Sequence, residues 1–243
     1  MIDLRVAAWS GPRNISTAMM RAWENRPDAI VVDEPLYAFY LDCTGLDHPG
    51  REEVIAAGET DWRKVVDFLT GPIPRGRAVF YQKHMTHHLL PEVETDWFTQ
   101  VDHAFLIRDP REVLLSYVKS RPTVTADDIG VPAQLRIYEK VRELTGSDPV
   151  VIDAGEFLKA PEPHLRAWCG RLGLDFSERM LSWPPGPRDT DGVWAPHWYD
   201  AVLKSTGFEP YRERDRRVPP EHKGVIDVCL PLYEQMYERR LRV

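Results

Sequence analysis

Several short stretches of this sequence carry side chains suited to chemistry on an anion. In the first, Trp9-Ser10-Gly11-Pro12-Arg13-Asn14-Ile15-Ser16-Thr17 lies between the apolar run Leu4-Arg5-Val6-Ala7-Ala8 and a helix-like segment ending near Arg26-Pro27. A strand, a small-residue turn and a helix start make a phosphate cradle, because the first N–H groups of a helix are unpaired and lie at its positive end. Gly11 lets backbone approach a ligand closely, Arg13 offers a permanent forked charge, and Ser16 and Thr17 offer hydroxyls. The same residues also fit a plain βα turn with a Ser helix cap. They do not form the G-x-x-x-x-G-K-[ST] loop, so a nucleoside triphosphate is not the default ligand.

Further polar groups fall at the ends of other strand-like runs. Ala104-Phe105-Leu106-Ile107 ends at Arg108 and runs into Asp109-Pro110-Arg111-Glu112, a strong helix start with Asp109 as N-cap and Pro110 at the first helical position. Ser116 then lies about two turns into that helix, on the face of Glu112. Ala29-Ile30-Val31-Val32-Asp33 delivers Asp33 and Glu34 to its end, and Arg77-Ala78-Val79-Phe80-Tyr81-Gln82 delivers Lys83-His84-Met85-Thr86-His87-His88. Open α/β sheets place ligands at such strand ends. Glu34 and His87 are both candidate general bases, Glu34 equally an ion-pair partner of Arg13. His84, His87 and His88 have the i, i+3, i+4 spacing of a metal-binding face, without an H-E-x-x-H or a Cys pair beside it.

The elements that must position these groups alternate. Pro149 to Asp153 reads as a fifth strand, and helices are expected around Trp62 to Leu69, from Pro132 to Thr145, from Pro161 to Leu172 and from about Pro220 to Leu241. Short apolar runs between turn signals indicate buried parallel strands, so the class is α/β, a single domain over residues 1–243. The last helix carries Ile226, Leu230, Tyr233 and Tyr237 on one stripe, a core-packing face.

At 43% hydrophobic and 28% charged residues the composition is that of a soluble globular protein. A net charge of −7 argues against nonspecific nucleic-acid binding while allowing a local basic pocket. Cys43, Cys169 and Cys229 are widely spaced, odd in number and form no CxxC pair, which fits reduced thiols. With neither a secretory signal nor an apolar run of membrane-spanning length, a soluble cytoplasmic protein is expected.

The two separated anion motifs together resemble the sulfotransferase family, which transfers a sulfuryl group from 3'-phosphoadenosine 5'-phosphosulfate. Pro12-Arg13-Asn14-Ile15-Ser16-Thr17 is similar in register to that family's Pro-Lys/Arg-Ser-Gly-Thr-Thr loop, with Asn14-Ile15 in place of Ser-Gly. Arg108 and Ser116, eight residues apart, match the family's pair of 3'-phosphate ligands. The stretch from Val151 through Leu174 also resembles the segment that follows, so the likeness spans roughly residues 4 to 175. It implies a three-layer, mostly parallel central sheet flanked by helices, the P-loop NTPase-like sulfotransferase fold.

The resemblance implies 3'-phosphoadenosine 5'-phosphosulfate as co-substrate, with no metal. Gly11, Pro12, Arg13, Asn14, Ile15, Ser16 and Thr17 would hold its 5'-phosphosulfate, and Arg108 and Ser116 its 3'-phosphate. Arg13 and Lys83 would balance charge on the transferring group, and Glu34 or His87 would be the base, since the family's Lys-Thr-His segment has two imperfect alignments over 83–88. The acceptor would be a small molecule bearing a hydroxyl or amine, with neither nucleic acid nor membrane as partner. Arg188 and Lys204 are candidates for late basic contacts, Tyr37, Phe39 and Tyr40 for the acceptor pocket, and Trp194, His197 and Trp198 for ring stacking or core packing. Two other readings are a non-catalytic nucleotide-binding module of the same fold and a metal-dependent hydrolase using His84, His87 and His88.

Overall fold

The computed structural model describes residues 3–119 and 123–243. Its elements run β1 (Leu4–Ser10), α1 (Ser16–Glu24), β2 (Ala29–Asp33), α2 (Tyr37–Thr44), α3 (Arg51–Ala57), α4 (Trp62–Thr70), β3 (Val79–Met85), β4 (Asp102–Ile107), α5 (Pro110–Tyr117), α6 (Ala126–Ile129) and α7 (Val131–Thr145). There follow β5 (Val150–Asp153), α8 (Ala154–Lys159), α9 (Pro161–Arg171), α10 (Ala195–Trp198), α11 (Asp200–Lys204) and α12 (Lys223–Glu238). The strands form a five-stranded sheet in the order β2-β3-β1-β4-β5, and every pairing is parallel.

Side chains alternate across a strand, and here both faces are apolar. From β1, Ala7 and Trp9 point into one core with Phe80, Phe105, Ile107 and Val151, covered by α4, α5, α7 and α12. Leu4, Val6 and Ala8 point into the other with Val31, Tyr81, Leu106 and Ile152, covered by α1, α8 and α9. The result is three layers with β1 at the centre. Because β3 and β4 flank β1 while the chain leaves it for β2, the strand order reverses there, and the crevice opens above the carboxyl ends of β1, β3 and β4.

Several boundaries differ from the sequence expectation. β3 extends to Met85, so Lys83 and His84 belong to the strand and His87 and His88 to a 3₁₀ turn after it. Burial runs on through Gln82, Lys83 and His84, residues that read as a polar strand end. The segment after β2 folds into α2 and α3, which pack a third small core of Tyr37, Ala38, Leu41 and Val54 against Trp194, Ala195 and Tyr199. In α12 the buried stripe is Ile226, Cys229, Tyr233 and Met236, rotated from the one expected.

The turn after β1 is fixed by a close backbone approach. A Cβ on Gly11 would lie 2.9 Å from the Ile129 carbonyl oxygen, so the close approach of the α6–α7 corner requires glycine here. Across from it, Gly130 has φ +82, and a Cβ there would meet Gly11 Cα and Pro12 Cδ at 3.2 Å and Thr86 Oγ1 at 3.3 Å. Gly130→Ala therefore combines a left-handed backbone with a clash against the loop. It should destabilise the protein by roughly 1 to 3 kcal/mol, read as the denaturant midpoint at unchanged m-value; a midpoint equal to wild type would contradict this packing.

Candidate active site

A cavity of about 540 Å³ opens at the strand ends. It brings together Pro12, Arg13, Asn14, Ser16 and Thr17 from the first loop, Glu34 after β2, Lys83 from β3, His87 and His88 from the turn, and Arg108 and Ser116 about β4 and α5. Gly11 and Ile15 are not in its lining; Ile15 packs against the second core cluster. These residues span 12 to 116 in the chain, and parallel strands meeting at one rim are what gathers them.

The loop is held from two sides and braced from within. Asn14 donates Nδ2 to the Leu106 carbonyl at 2.7 Å and accepts from the Ile15 amide at 2.8 Å. Arg108 donates Nη1 to the Arg13 carbonyl at 2.7 Å. Arg13 has φ +55, a strained backbone for a side-chain-bearing residue, of the kind that collects at ligand sites. No side chain caps α1, whose N-cap residue is Ile15, so the plain Ser-cap reading does not hold. The N–H groups of its first turn are instead available to an anion.

Arg108 is aimed by a chain of charges. Its Nε and Nη2 donate to Glu112 Oε2 at 3.3 and 3.1 Å. Arg216 holds the other carboxylate oxygen, Oε1, at 2.8 Å, and the Tyr211 hydroxyl donates to it at 3.3 Å. Glu112 is therefore a bridge to the late 209–217 segment. That segment also puts Arg214 into the cavity lining beside Arg108.

Opposite the arginines stands a buried acid–base cluster. Lys83 Nζ donates to Asp33 Oδ1 at 2.7 Å, Glu34 Oε1 at 2.5 Å and the Tyr199 hydroxyl at 2.9 Å. Burial opposes the charge on Lys83, but Asp33 and Glu34 outweigh it and hold the ammonium protonated well above its usual range. Burial pushes the Glu34 carboxyl up; Asp33 adds to this and Lys83 works against it. Glu34, like Arg13, has positive φ, +41. All three Lys83 protons are directed at protein groups, whereas the sequence reading gave this residue to the transferring group.

The histidines separate. His84 stacks on Trp9 with ring centroids 4.4 Å apart, inside the core, while His87 and His88 face α2, where His88 stacks on Tyr37 at 4.5 Å and Tyr40 at 4.8 Å. Their i, i+3, i+4 spacing makes one face only on a helix, and here it spans a strand and a 3₁₀ turn. Among the described residues no group of three or more His, Cys, Asp or Glu is arranged to hold a metal ion. The structure thus gives the hydrolase reading no metal face.

The remaining candidates divide. Tyr37 and Trp198 line the cavity with His48, Pro49, Met85, Tyr117 and Tyr199; Phe39 is core; Tyr40 packs on the histidine rings. Trp194 is buried in the third core cluster. The His197 ring stands by Gly50, outside the cavity lining. Arg188 and Lys204 are also absent from the lining, Arg188 being placed near Glu24 and Pro184. His48, Tyr199 and Arg214 carried no sequence signal for a role. Each reaches the site from a segment without periodicity, and only tertiary packing reveals them.

Comparison with known proteins adds a second line. A family model described as a sulfotransferase domain matches residues 4–240. Two curated Arabidopsis thaliana proteins, named branched-chain-amino-acid aminotransferase-like proteins 2 and 1, are 36% identical over 230 residues and 38% over 229. Each match takes in 94% of this chain, which spans only 40% of the length of those relatives. Among solved structures, the sulfotransferase domain of the Synechococcus PCC 7002 olefin synthase aligns with TM-score 0.59 and 15% identity, over 97% of this chain and 95% of that one. A mouse sulfotransferase complexed with PAP aligns at 0.54 and 12%, over 98% and 90%. The architecture is that of these proteins.

Burial sets the state of the imidazoles: it pushes His87 down to about 4 and His84 to about 3, so both are neutral at pH 7. An unfolded histidine titrates near 6.5, so between that value and the depressed folded values the unfolded chain binds more protons. Stability is then complete above about pH 6.5 and declines as pH falls toward 4, by up to about 1.4 kcal/mol per pH unit for each histidine so shifted. Urea unfolding at pH 7, 6 and 5 checks this, and the loss should be smaller in His87→Gln. A pH-independent midpoint would contradict it.

Proposed function

The chain belongs to the sulfotransferase family, a family of enzymes, and on that premise we propose that it moves a sulfuryl group from 3'-phosphoadenosine 5'-phosphosulfate to a hydroxyl of a small-molecule acceptor. The observation that carries this reading is the convergence of two anion-binding motifs and one buried acid–base cluster on a single cavity. PAP, held by the mouse relative, is the product such a donor leaves.

In this reading the donor's 5'-phosphosulfate lies at the start of α1, where backbone N–H groups, Arg13, Ser16 and Thr17 neutralise its charge. The 3'-phosphate is taken by Arg108 and Ser116, with Arg214 beside them. The acceptor enters from the side lined by Tyr37, His48 and Trp198. Glu34 removes the acceptor's hydroxyl proton as its oxygen attacks sulfur. The bond from sulfur to the phosphate oxygen breaks in line, and the bisphosphate leaves with its new charge facing Arg13 and the helix terminus.

Glu34 is preferred to His87 as the base because their environments push them in opposite directions. Burial and Asp33 raise the carboxyl toward neutrality, where general bases work best, whereas burial holds His87 near 4. Glu34→Gln should lower turnover by about 10²- to 10⁴-fold with donor affinity nearly intact. If His87→Ala shows that pattern and Glu34→Gln does not, the base is His87. Arg108→Ala should remove the preference for adenosine 3',5'-bisphosphate over 5'-AMP in titration calorimetry, since the forked charge reads the extra phosphate. A mutant retaining the wild-type preference would sink that assignment.

A further inference from the structure

We propose that Asp33 and Tyr199 are positioning residues of the active site, which together hold Lys83 against Glu34 and so fix the orientation and charge of that carboxylate. The proposal rests on the reading of Glu34 as the base. Lys83 has three protons, and Asp33 Oδ1, Glu34 Oε1 and the Tyr199 hydroxyl accept one each at 2.7, 2.5 and 2.9 Å. The Tyr199 hydroxyl gives its only proton to Asp33 Oδ2 at 2.6 Å and also accepts from Trp194 Nε1 at 3.3 Å. Asp33 Oδ2 takes a further bond from the Gly192 amide at 3.3 Å. The side chains of Asp33 and Lys83 are 1% and 2% exposed and that of Glu34 11%, so the carboxylate of Glu34 is the more open of the two, on a cavity that Lys83 and Tyr199 also line.

The arrangement makes Lys83 act through Glu34. An ammonium with every proton directed at protein has none to give a sulfonate oxygen, but it fixes Glu34 Oε1 and leaves Oε2, 3.8 Å from His88 Nδ1, as the oxygen that receives a proton. Two carboxylates share one positive charge, so the cluster carries a net charge of −1. In a one-to-one pair Lys83 would hold Glu34 as a weaker base; Asp33 takes part of that charge away. The other charged or titratable groups around Glu34 are His87 and His88 from the turn, Tyr37 and His48 from α2 and the segment after it, and Arg13 from the loop. Tyr199 joins this cluster from the far end of the chain, on the small core that also packs α2.

Two spectroscopic readouts on the full chain test this without an identified acceptor. In protein labelled with ¹³C at glutamate carboxyls, the Glu34 resonance is the one missing in Glu34→Gln. In Asp33→Asn its titration midpoint should fall by about one pH unit, because Lys83 then serves Glu34 alone. In protein labelled with ¹⁵N at lysine Nζ, wild type should show one ammonium protected from solvent exchange, and Tyr199→Phe should lose that protection. Tyr199→Phe keeps every charge and the ring packing, so it remains informative if Asp33→Asn does not fold. An unchanged Glu34 midpoint in Asp33→Asn, or an unchanged Lys83 signal in Tyr199→Phe, overturns the proposal. The turnover of Glu34→Gln is read separately, so failure of the base assignment and failure of the positioning account give different patterns.

Discussion

One buried ammonium sets much of this site. Lys83 lies on β3 in register with Asp33 on β2, and an unpaired charge there would be prohibitively unfavourable. The structure answers with two carboxylates and a tyrosine hydroxyl. That requirement fixes the end of β2, holds the left-handed backbone of Glu34 in place, and draws Tyr199 in from 116 residues away. The roof formed by α2, α3 and α10 is built around the same residue, since Tyr199 belongs to its core.

The second constraint is positive. In a chain of net charge −7, three arginines are gathered about one cavity. Arg108 is aimed by Glu112, Glu112 is gripped by Arg216, and Arg108 in turn holds the Arg13 carbonyl. The late segment therefore bears on the first loop through Glu112 and Arg108. A forked charge held on both sides has little freedom left to lose when an anion arrives, which is the physical content of a preformed site.

Much of this was legible in the sequence, for identifiable reasons. Buried parallel strands read as short apolar runs between turn signals, and Asp109-Pro110 marked the start of α5, where Asp109 accepts from the Arg111 amide. Arg13, Glu34, Arg108 and Ser116 were readable because each follows a strand end or sits on a helix face of known period. What could not be read depends on distance in the chain. Tyr199, Arg214 and His48 lie in irregular segments, and their partners are set by packing. The histidine cluster misled because a helical spacing rule was applied to a strand and a turn. The need for glycine at position 11 was read from a ligand, and the approach of the Ile129 carbonyl, which also requires it, could not be read from the sequence.

The central claim is that one cavity binds an adenosine nucleotide through both of its phosphates. Thermal unfolding with adenosine 3',5'-bisphosphate, compared with 5'-AMP and ATP, with and without a chelator, tests it most directly. A ligand at 100 times its Kd adds about 2.7 kcal/mol, which at roughly 2 to 4 °C per kcal/mol is a plain rise in Tm. The account predicts that rise for the bisphosphate alone, unaffected by chelator. No rise, or one that ATP reproduces, would contradict it.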